Sequence, residues 1–281
     1  MSEYLKTCEA AARAGGEQLL LFRGKFAVRR KGPRDLVTEA DFASQDAIRS
    51  VVESAFPDHE FLGEEDTSFA DVGNAGSAVD EPGGAAGPGQ PAGHRGESRF
   101  VWHVDPLDGT TNYVHGVAPF CVSVALAEAG EVVAGAIYDP LLDECFLAQR
   151  GGGAYLNGTP IAVSEVKNLS EALVIASFPP EIDPESDEIR GFLRVLAKAG
   201  SMRRTGSAAL NLAYVAAGRF DAFWAVTINT WDVAAGALLV REAGGTVTAP
   251  DGRPFELQTA SLAATASPPL HEQLIELLVG G

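Results

Sequence analysis

The chain has 281 residues, 46% of them hydrophobic, enough apolar content for a large core in one layered α/β domain or in two closely packed halves. With 21 basic against 38 acidic residues its formal charge is −17, so its field repels nucleic-acid phosphates and acidic membrane surfaces, and neither is expected as a partner. Three cysteines, Cys8, Cys121 and Cys145, with no Cys-x-x-Cys pair argue against a disulfide framework or a structural zinc and fit a reducing cytoplasm. No signal-like start and no apolar run long enough to span a bilayer is seen, so a soluble, unexported protein is expected.

Along the chain, Tyr4, Cys8, Ala11, Ala12, Gly15, Leu19 and Phe22 recur at spacings of three and four, which predicts an amphipathic helix over 4–22. A second helix is expected over 39–55. It opens on the capping-box pattern Thr38-Glu39-Ala40-Asp41 and carries Ile48, Val51, Val52 and Ala55 as its buried stripe. From Gly73 to Gly96 there are eight glycines and three prolines and no Leu, Ile or Phe. That composition cannot offset the entropy of ordering, so a mobile surface insert, dispensable for folding, is expected over 72–98.

Beyond it, Val101–Val104, Cys121–Ala127, Val132–Tyr138 and Cys145–Ala148 are strand-like and separated by turn residues, which predicts an antiparallel meander. The second half, about 151–281, alternates: a strand at Leu173–Ser177, helices at Ile189–Ala199, Ser207–Ala217 and Asp232–Ala243, a strand at Leu262–Ala266 and a helix at Pro269–Leu278. Gly244-Gly245 reads as the stop of the third helix. The expectation is one domain over 1–281, made of halves at about 1–150 and 151–281.

Chemistry concentrates in Trp102-His103-Val104-Asp105-Pro106-Leu107-Asp108-Gly109-Thr110-Thr111-Asn112-Tyr113, where a strand runs into a turn with two acids three apart. Pro106 removes a backbone donor and fixes the turn, so Asp105 and Asp108 can converge while Leu107 offers its carbonyl. Two further acidic sites stand out. Glu64-Glu65 follows Phe61-Leu62-Gly63, and Asp232 opens a helix after Trp231. Taken singly, each has a plain alternative: an Asp-Gly turn, solvated surface glutamates, or a carboxylate complementing a helix dipole for about 0.3–1 kcal/mol.

Taken together and in this order, Gly63-Glu64-Glu65, Asp105 to Tyr113 and Trp231-Asp232-Val233-Ala234-Ala235-Gly236 resemble the three signatures of the inositol monophosphatase family, and Lys31 to Asp41 is similar to its N-terminal segment. The resemblance implies an αβαβα layered sandwich of the inositol monophosphatase and fructose-1,6-bisphosphatase type, Mg²⁺ dependence, lithium sensitivity and a homodimer. It implies Glu64, Asp105 and the Leu107 carbonyl on a first metal, and Asp105, Asp108 and Asp232 on a second. Glu65 would stand behind the ligands or on a third metal, and Thr110 with Asp41 would orient the attacking water. Lys31 would lie near the phosphate, alongside Gly109. Asp41 equally fits the capping box of its helix.

Five clustered carboxylates would be costly without counter-charge, and an all-oxygen donor set selects Mg²⁺, with Mn²⁺ as substitute, over zinc or copper. Phosphate monoesters demand accelerations up to about 10²¹, whereas a general base alone supplies about 10²–10⁴. Thr110-Thr111 and Gly206-Ser207-Ala208 read as helix starts whose amides could hold phosphate oxygens. The expected substrate is a small polyol or sugar phosphate, inositol 1-phosphate first. Histidinol phosphatase and fructose-1,6-bisphosphatase activities are the alternatives, and a regulatory protein-binding role is an alternative of another class. Nucleotide phosphatases of the same superfamily typically read Asp-Gly-Thr-Lys-Glu where this chain has Asp108 to Asn112, which disfavours them. Ala225 and Asn229 stand where animal inositol monophosphatases carry a Glu and a His near the inositol ring, which predicts broad substrate choice.

Overall fold

The computed structural model describes residues 1–32, 35–67, 98–178 and 182–280, with the side chains of 30–35 and 67 outside that description; the expected insert at 72–98 lies outside it up to residue 97. In chain order the elements are α1 (Glu3–Phe22), β1 (Val28–Gly32), β2 (Asp35–Thr38), α2 (Glu39–Ala55), β3 (Glu60–Gly63), α3 (Glu64–Thr67), β4 (Phe100–Asp108) and α4 (Thr110–Val114). There follow β5 (Cys121–Glu128), β6 (Glu131–Asp139), β7 (Glu144–Gln149), β8 (Gly153–Leu156), β9 (Thr159–Pro160), β10 (Leu173–Ser177), α5 (Asp187–Leu196) and β11 (Ser201–Arg203). The chain continues with α6 (Ala208–Ala216), β12 (Ala222–Ala225), α7 (Thr230–Glu242), β13 (Thr246–Thr248), β14 (Leu262–Thr265) and α8 (Pro268–Val279).

The larger sheet runs β3-β4-β5-β6-β7-β8-β9, with β3 parallel to β4 and the rest an antiparallel meander, as the turn spacing predicts. Its central strands are apolar on both faces because both are covered. Val122, Val124 and Leu126 of β5 pack into the core under α1 and α2, whereas Cys121, Ala125 and Ala127 pack into the core that holds α6 and α7. A five-stranded sheet, β11-β10-β12-β14-β13, closes that second core from the far side. Its other face, with Val174, Ala176 and Trp224, is covered by α5 and α8. The layers are therefore α, β, α, β, α, the expected sandwich.

Local signals account for most helix ends. The Ser2 hydroxyl accepts the Leu5 amide at 3.2 Å to start α1, and the Thr38–Asp41 capping box starts α2. α7 ends in a Schellman motif: the Gly245 amide reaches the Val240 carbonyl at 2.8 Å and the Gly244 amide reaches Arg241 at 3.1 Å. α5 begins earlier than the periodicity suggests because Ser186 caps it, accepting the Ile189 amide at 3.3 Å. The short strands β11, β12 and β13 escape a reading of alternation. Ala222–Ala225 is buried throughout and carries no period-two signal. Among the described residues no helix is long and apolar enough to cross a membrane.

α7 lies unusually close to the larger sheet. A Cβ built on Gly135 of β6 would stand 2.9 Å from the Ala235 Cα and 3.0 Å from its Cβ. Gly135→Ala should therefore push helix from sheet and cost about 1–3 kcal/mol, the usual scale of overpacking. Chemical denaturation checks this, and an unchanged midpoint would contradict the close seam.

Candidate active site

The site grows from a bulge in β4. Asp105 pairs with Ser123 and Asp108 with Cys121, so three steps on β4 oppose two on β5. Pro106, which has no N–H for the ladder, lies inside the bulge. The extra residue corrects a parity problem: acids three apart on a regular strand point to opposite faces, and here both share the face of Cys121 and Ser123, toward α7. The Leu107 amide donates to Asp105 Oδ1 at 2.9 Å, and Ser44 of α2 donates to the Pro106 carbonyl at 2.8 Å, which together hold the turn.

The remaining acids arrive on neighbouring elements. β3 runs parallel to β4 with Gly63 beside Val104, so Glu64 opens α3 next to Asp105. Asp232 lies in the first turn of α7, its Oδ2 accepting the Asn229 amide at 2.9 Å. Burial pushes Asp105 well above the usual carboxylate range, and the charges of Glu64, Asp108 and Asp232 push it further. Asp232 is raised to about 8, by burial first and then by Asp108 and Glu64. Asp108 is raised only to about 6, because burial is opposed by the Ser207 hydroxyl and by the Ala209 and Ala208 amides.

Those last contacts correct one expectation. The start of α6 does not turn its donors to a phosphate: Ser207 Oγ and the Ala209 amide donate to Asp108 Oδ2 at 2.6 and 2.7 Å, and the Ala208 amide to Oδ1 at 3.2 Å. The nearest partner for a helix N-terminus here is the protein's own carboxylate. Gly206 packs against Asn112, whose Nδ2 bridges the carbonyls of Pro119 and Thr205 at 2.7 and 2.9 Å. The start of α4 is the remaining candidate. It follows Gly109, where φ is +95° and a Cβ would meet the Pro119 carbonyl at 3.0 Å.

Asp41 caps its helix and also approaches Thr110. Its Oδ2 takes the Thr38 amide at 2.8 Å and the Thr38 hydroxyl at 2.6 Å, completing the capping box, while Oδ1 lies 3.4 Å from Thr110 Oγ. The same Thr110 hydroxyl lies 3.1 Å from the Leu107 carbonyl. Glu65 is buried, its amide donating to Gln45 Oε1 at 3.0 Å. Gln45 and Arg49 also hold Asp66, at 3.1 and 2.7 Å, and so tie α3 to α2. Lys31 lies in β1, with its side chain outside the described part. Ala225 is 1% exposed and packs in the core between the sheets, while Asn229 is exposed at the start of α7.

Every polar donor of the group is an oxygen, and Glu64 and Asp108 lie close enough to Asp105 and Asp232 for their charges to raise the proton affinity of both. Their chemistry fits a hard divalent cation. Among the described residues no three His, Cys, Asp or Glu side chains already stand at the spacing of a formed metal site, and Asp108 is the member whose oxygens are committed elsewhere.

Sequence reasoning missed His103 and Ser123. His103 Nδ1 lies 3.0 Å from Thr230 Oγ and Ser123 Oγ donates to the Trp231 carbonyl at 3.0 Å. Burial lowers the His103 pKa to about 4, so its ring is neutral. The signal was available, since His103 precedes Asp105 by two on a strand and must share its face.

Comparison with known proteins gives the family. The model of the inositol monophosphatase family matches residues 1–280. Inositol monophosphatase 2 of Solanum lycopersicum is 41% identical over 270 residues, covering 94% of each chain. Nus factor SuhB of Pseudomonas aeruginosa is 39% identical over 256 residues, covering 88% of this chain and 86% of its own. Among solved structures, the extragenic suppressor protein suhB from Bartonella henselae superposes with a TM-score of 0.84 at 34% identity, covering 100% of both chains. Sequence signatures, layered fold and whole-length similarity agree, and the chain belongs to the inositol monophosphatase family.

Proposed function

We infer that this chain is a magnesium-dependent phosphoric monoester hydrolase acting on small polyol or sugar phosphates, with inositol 1-phosphate as its first candidate substrate. The observation that carries this is the gathering of Asp105, Asp108, Asp232 and Glu64 at the β4 bulge, with Thr110 and Asp41 beside them. Glu64, Asp105, the Leu107 carbonyl, Asp108 and Asp232 would hold the metal ions, with Mn²⁺ as a substitute. Bound there, divalent cations would neutralise the carboxylates, polarise a phosphoryl oxygen and make a bound water acidic enough to attack.

The protein's own groups supply orientation. Thr110 directs its hydroxyl hydrogen toward Asp41 Oδ1 or the Leu107 carbonyl, so its oxygen would accept a hydrogen bond from the attacking water while Asp41 holds the hydroxyl in place. Asp41 keeps its orientation because Thr38 grips its other oxygen. The amides that follow Gly109 would hold phosphate oxygens, with Lys31 supplying positive charge to them. Broad choice of alcohol belongs to the same reading, although Ala225 is packed in the core between the sheets and does not itself explain it. Cytoplasmic residence, a homodimeric assembly and lithium inhibition belong to the same reading, the first supported by three buried free thiols.

A second role, through a protein partner, is favoured by one finding: a relative bearing the name Nus factor lies within the same range of identity as the phosphatases. Asp105→Asn separates the two roles.

A phosphate-release screen over polyol, sugar and histidinol phosphates with Mg²⁺ tests the reaction. Turnover should vanish on exhaustive chelation and return with Mg²⁺ or Mn²⁺, and Asp105→Asn should lower kcat by at least about 10²–10³. Full turnover after chelation would remove the metal from the mechanism.

The raised carboxyl groups give a second test. A carboxyl whose folded pKa lies above its unfolded value stabilises the metal-free fold at low pH, and that contribution is lost as pH rises through the folded pKa. With Asp108 at about 6 and Asp232 at about 8, the Tm of metal-free protein should fall between pH 5 and about 8. The Tm gain from Mg²⁺ should grow over the same window, and Asp232→Asn should flatten both trends. A pH-independent gain would contradict this assignment.

A further inference from the structure

The first turn of α7 carries Asp232, yet most of this helix rests on contacts with no direction along its axis. Its buried residues run Val233, Ala234, Ala235, Gly236, Ala237 and Leu238, and Ala235 lies on the bare backbone of Gly135. Such packing fixes the separation of helix and sheet but resists small slides and rotations weakly, because dispersion is non-directional. Polar bonds must set the register. At the far end Glu242 takes the amides of Gly151 and Gly153 at 2.8 and 2.9 Å. At the near end there are two bonds, His103 Nδ1 to Thr230 Oγ and Ser123 Oγ to the Trp231 carbonyl, both at 3.0 Å.

Both near-end bonds come from strand positions tied to Asp105. His103 precedes it by two residues on the same face, and Ser123 is its cross-strand partner. The residues that stop the helix and Asp105, the neighbour of Asp232, thus belong to one patch of sheet. A buried imidazole is also a costly choice at 8% exposure unless its polar atoms are bonded, and Thr230 provides the bond.

We propose that the His103–Thr230 bond, with Ser123 as second anchor, is a positioning latch that holds Asp232 against Asp105 and so sets the affinity of the site for its divalent cation. This rests on the metal reading above. His103 is a positioning residue and not a ligand, acting only through the placement of α7. Loss of a partner behind a metal ligand costs about 10- to 100-fold in affinity, so the latch should be visible in binding alone.

The test measures Mg²⁺ binding by titration calorimetry without substrate, then kcat and KM at saturating Mg²⁺. Thr230→Val and His103→Leu should each weaken Mg²⁺ binding about tenfold, with kcat and substrate KM recovering once Mg²⁺ saturates. The double variant should lose no more than about twofold beyond either single one, as expected for two halves of one bond. His103→Asn keeps a polar atom near the place of Nδ1 and should stay within about threefold of wild type. Thr230→Val with unchanged Mg²⁺ affinity, or additive losses in the double variant, would overturn the latch. Wild type that takes up no Mg²⁺ would overturn the metal reading itself, a distinct outcome. Should His103→Leu fail to fold, Thr230→Val at the partly exposed helix start decides alone.

Discussion

The structure is organised around a repulsion. Several carboxylates are drawn out of water at one end of the larger sheet, where burial and neighbouring charge raise the proton affinity of Asp105, Asp108 and Asp232, and hydrogen bonds hold the acids in place. Asp105 is held by the Leu107 amide, Asp108 by the start of α6, Asp232 by the Asn229 amide and Asp41 by Thr38. A cluster of this kind is poised to exchange its protons for a cation, which ties the stability of the fold to the chemistry of the site.

The layers can be understood as the frame for those grips. α2 presents Asp41, Ser44, Gln45 and Arg49 on one face at helical spacing, and they reach Thr110, the Pro106 carbonyl, the Glu65 amide and Asp66 respectively. α1 packs beside α2 so closely that a Cβ on Gly15 would meet Ser44 Oγ at 2.7 Å, which fixes α2 in place over the turn. On the opposite face α7 does the same for Asp232. One sheet edge is thereby clamped from both sides.

Much of this was legible in the chain. Asp105, Asp108, Glu64 and Asp232 could be picked out because their three segments, taken in order, resemble the family signatures, and the two long N-terminal helices carry their stripes openly. What was not legible depended on partners remote in sequence. That the first amides of α6 are occupied by Asp108 follows from a contact between residues 108 and 209, which no local pattern encodes. The parity of Asp105 and Asp108 follows from a bulge, and a bulge is visible only when the opposing strand is known. Ala225 resembles a specificity position by its place in a motif, yet β12 is buried on both faces, and burial of a short strand leaves no alternation to read.

Three of the acids come from residues 64, 105 and 232, and the strand that joins β12 to β13, β14, begins only at 262. The site is therefore assembled across most of the polypeptide, and the sheet that backs α7 stays incomplete until that late strand inserts between two earlier neighbours. Closing contacts of such long range is slow, and no nascent fragment that ends before residue 232 contains all the groups that confront one another in the finished protein. A nascent chain thus carries its acids far apart, solvated and harmless, and acquires its concentrated negative charge only as the last strand locks the layers.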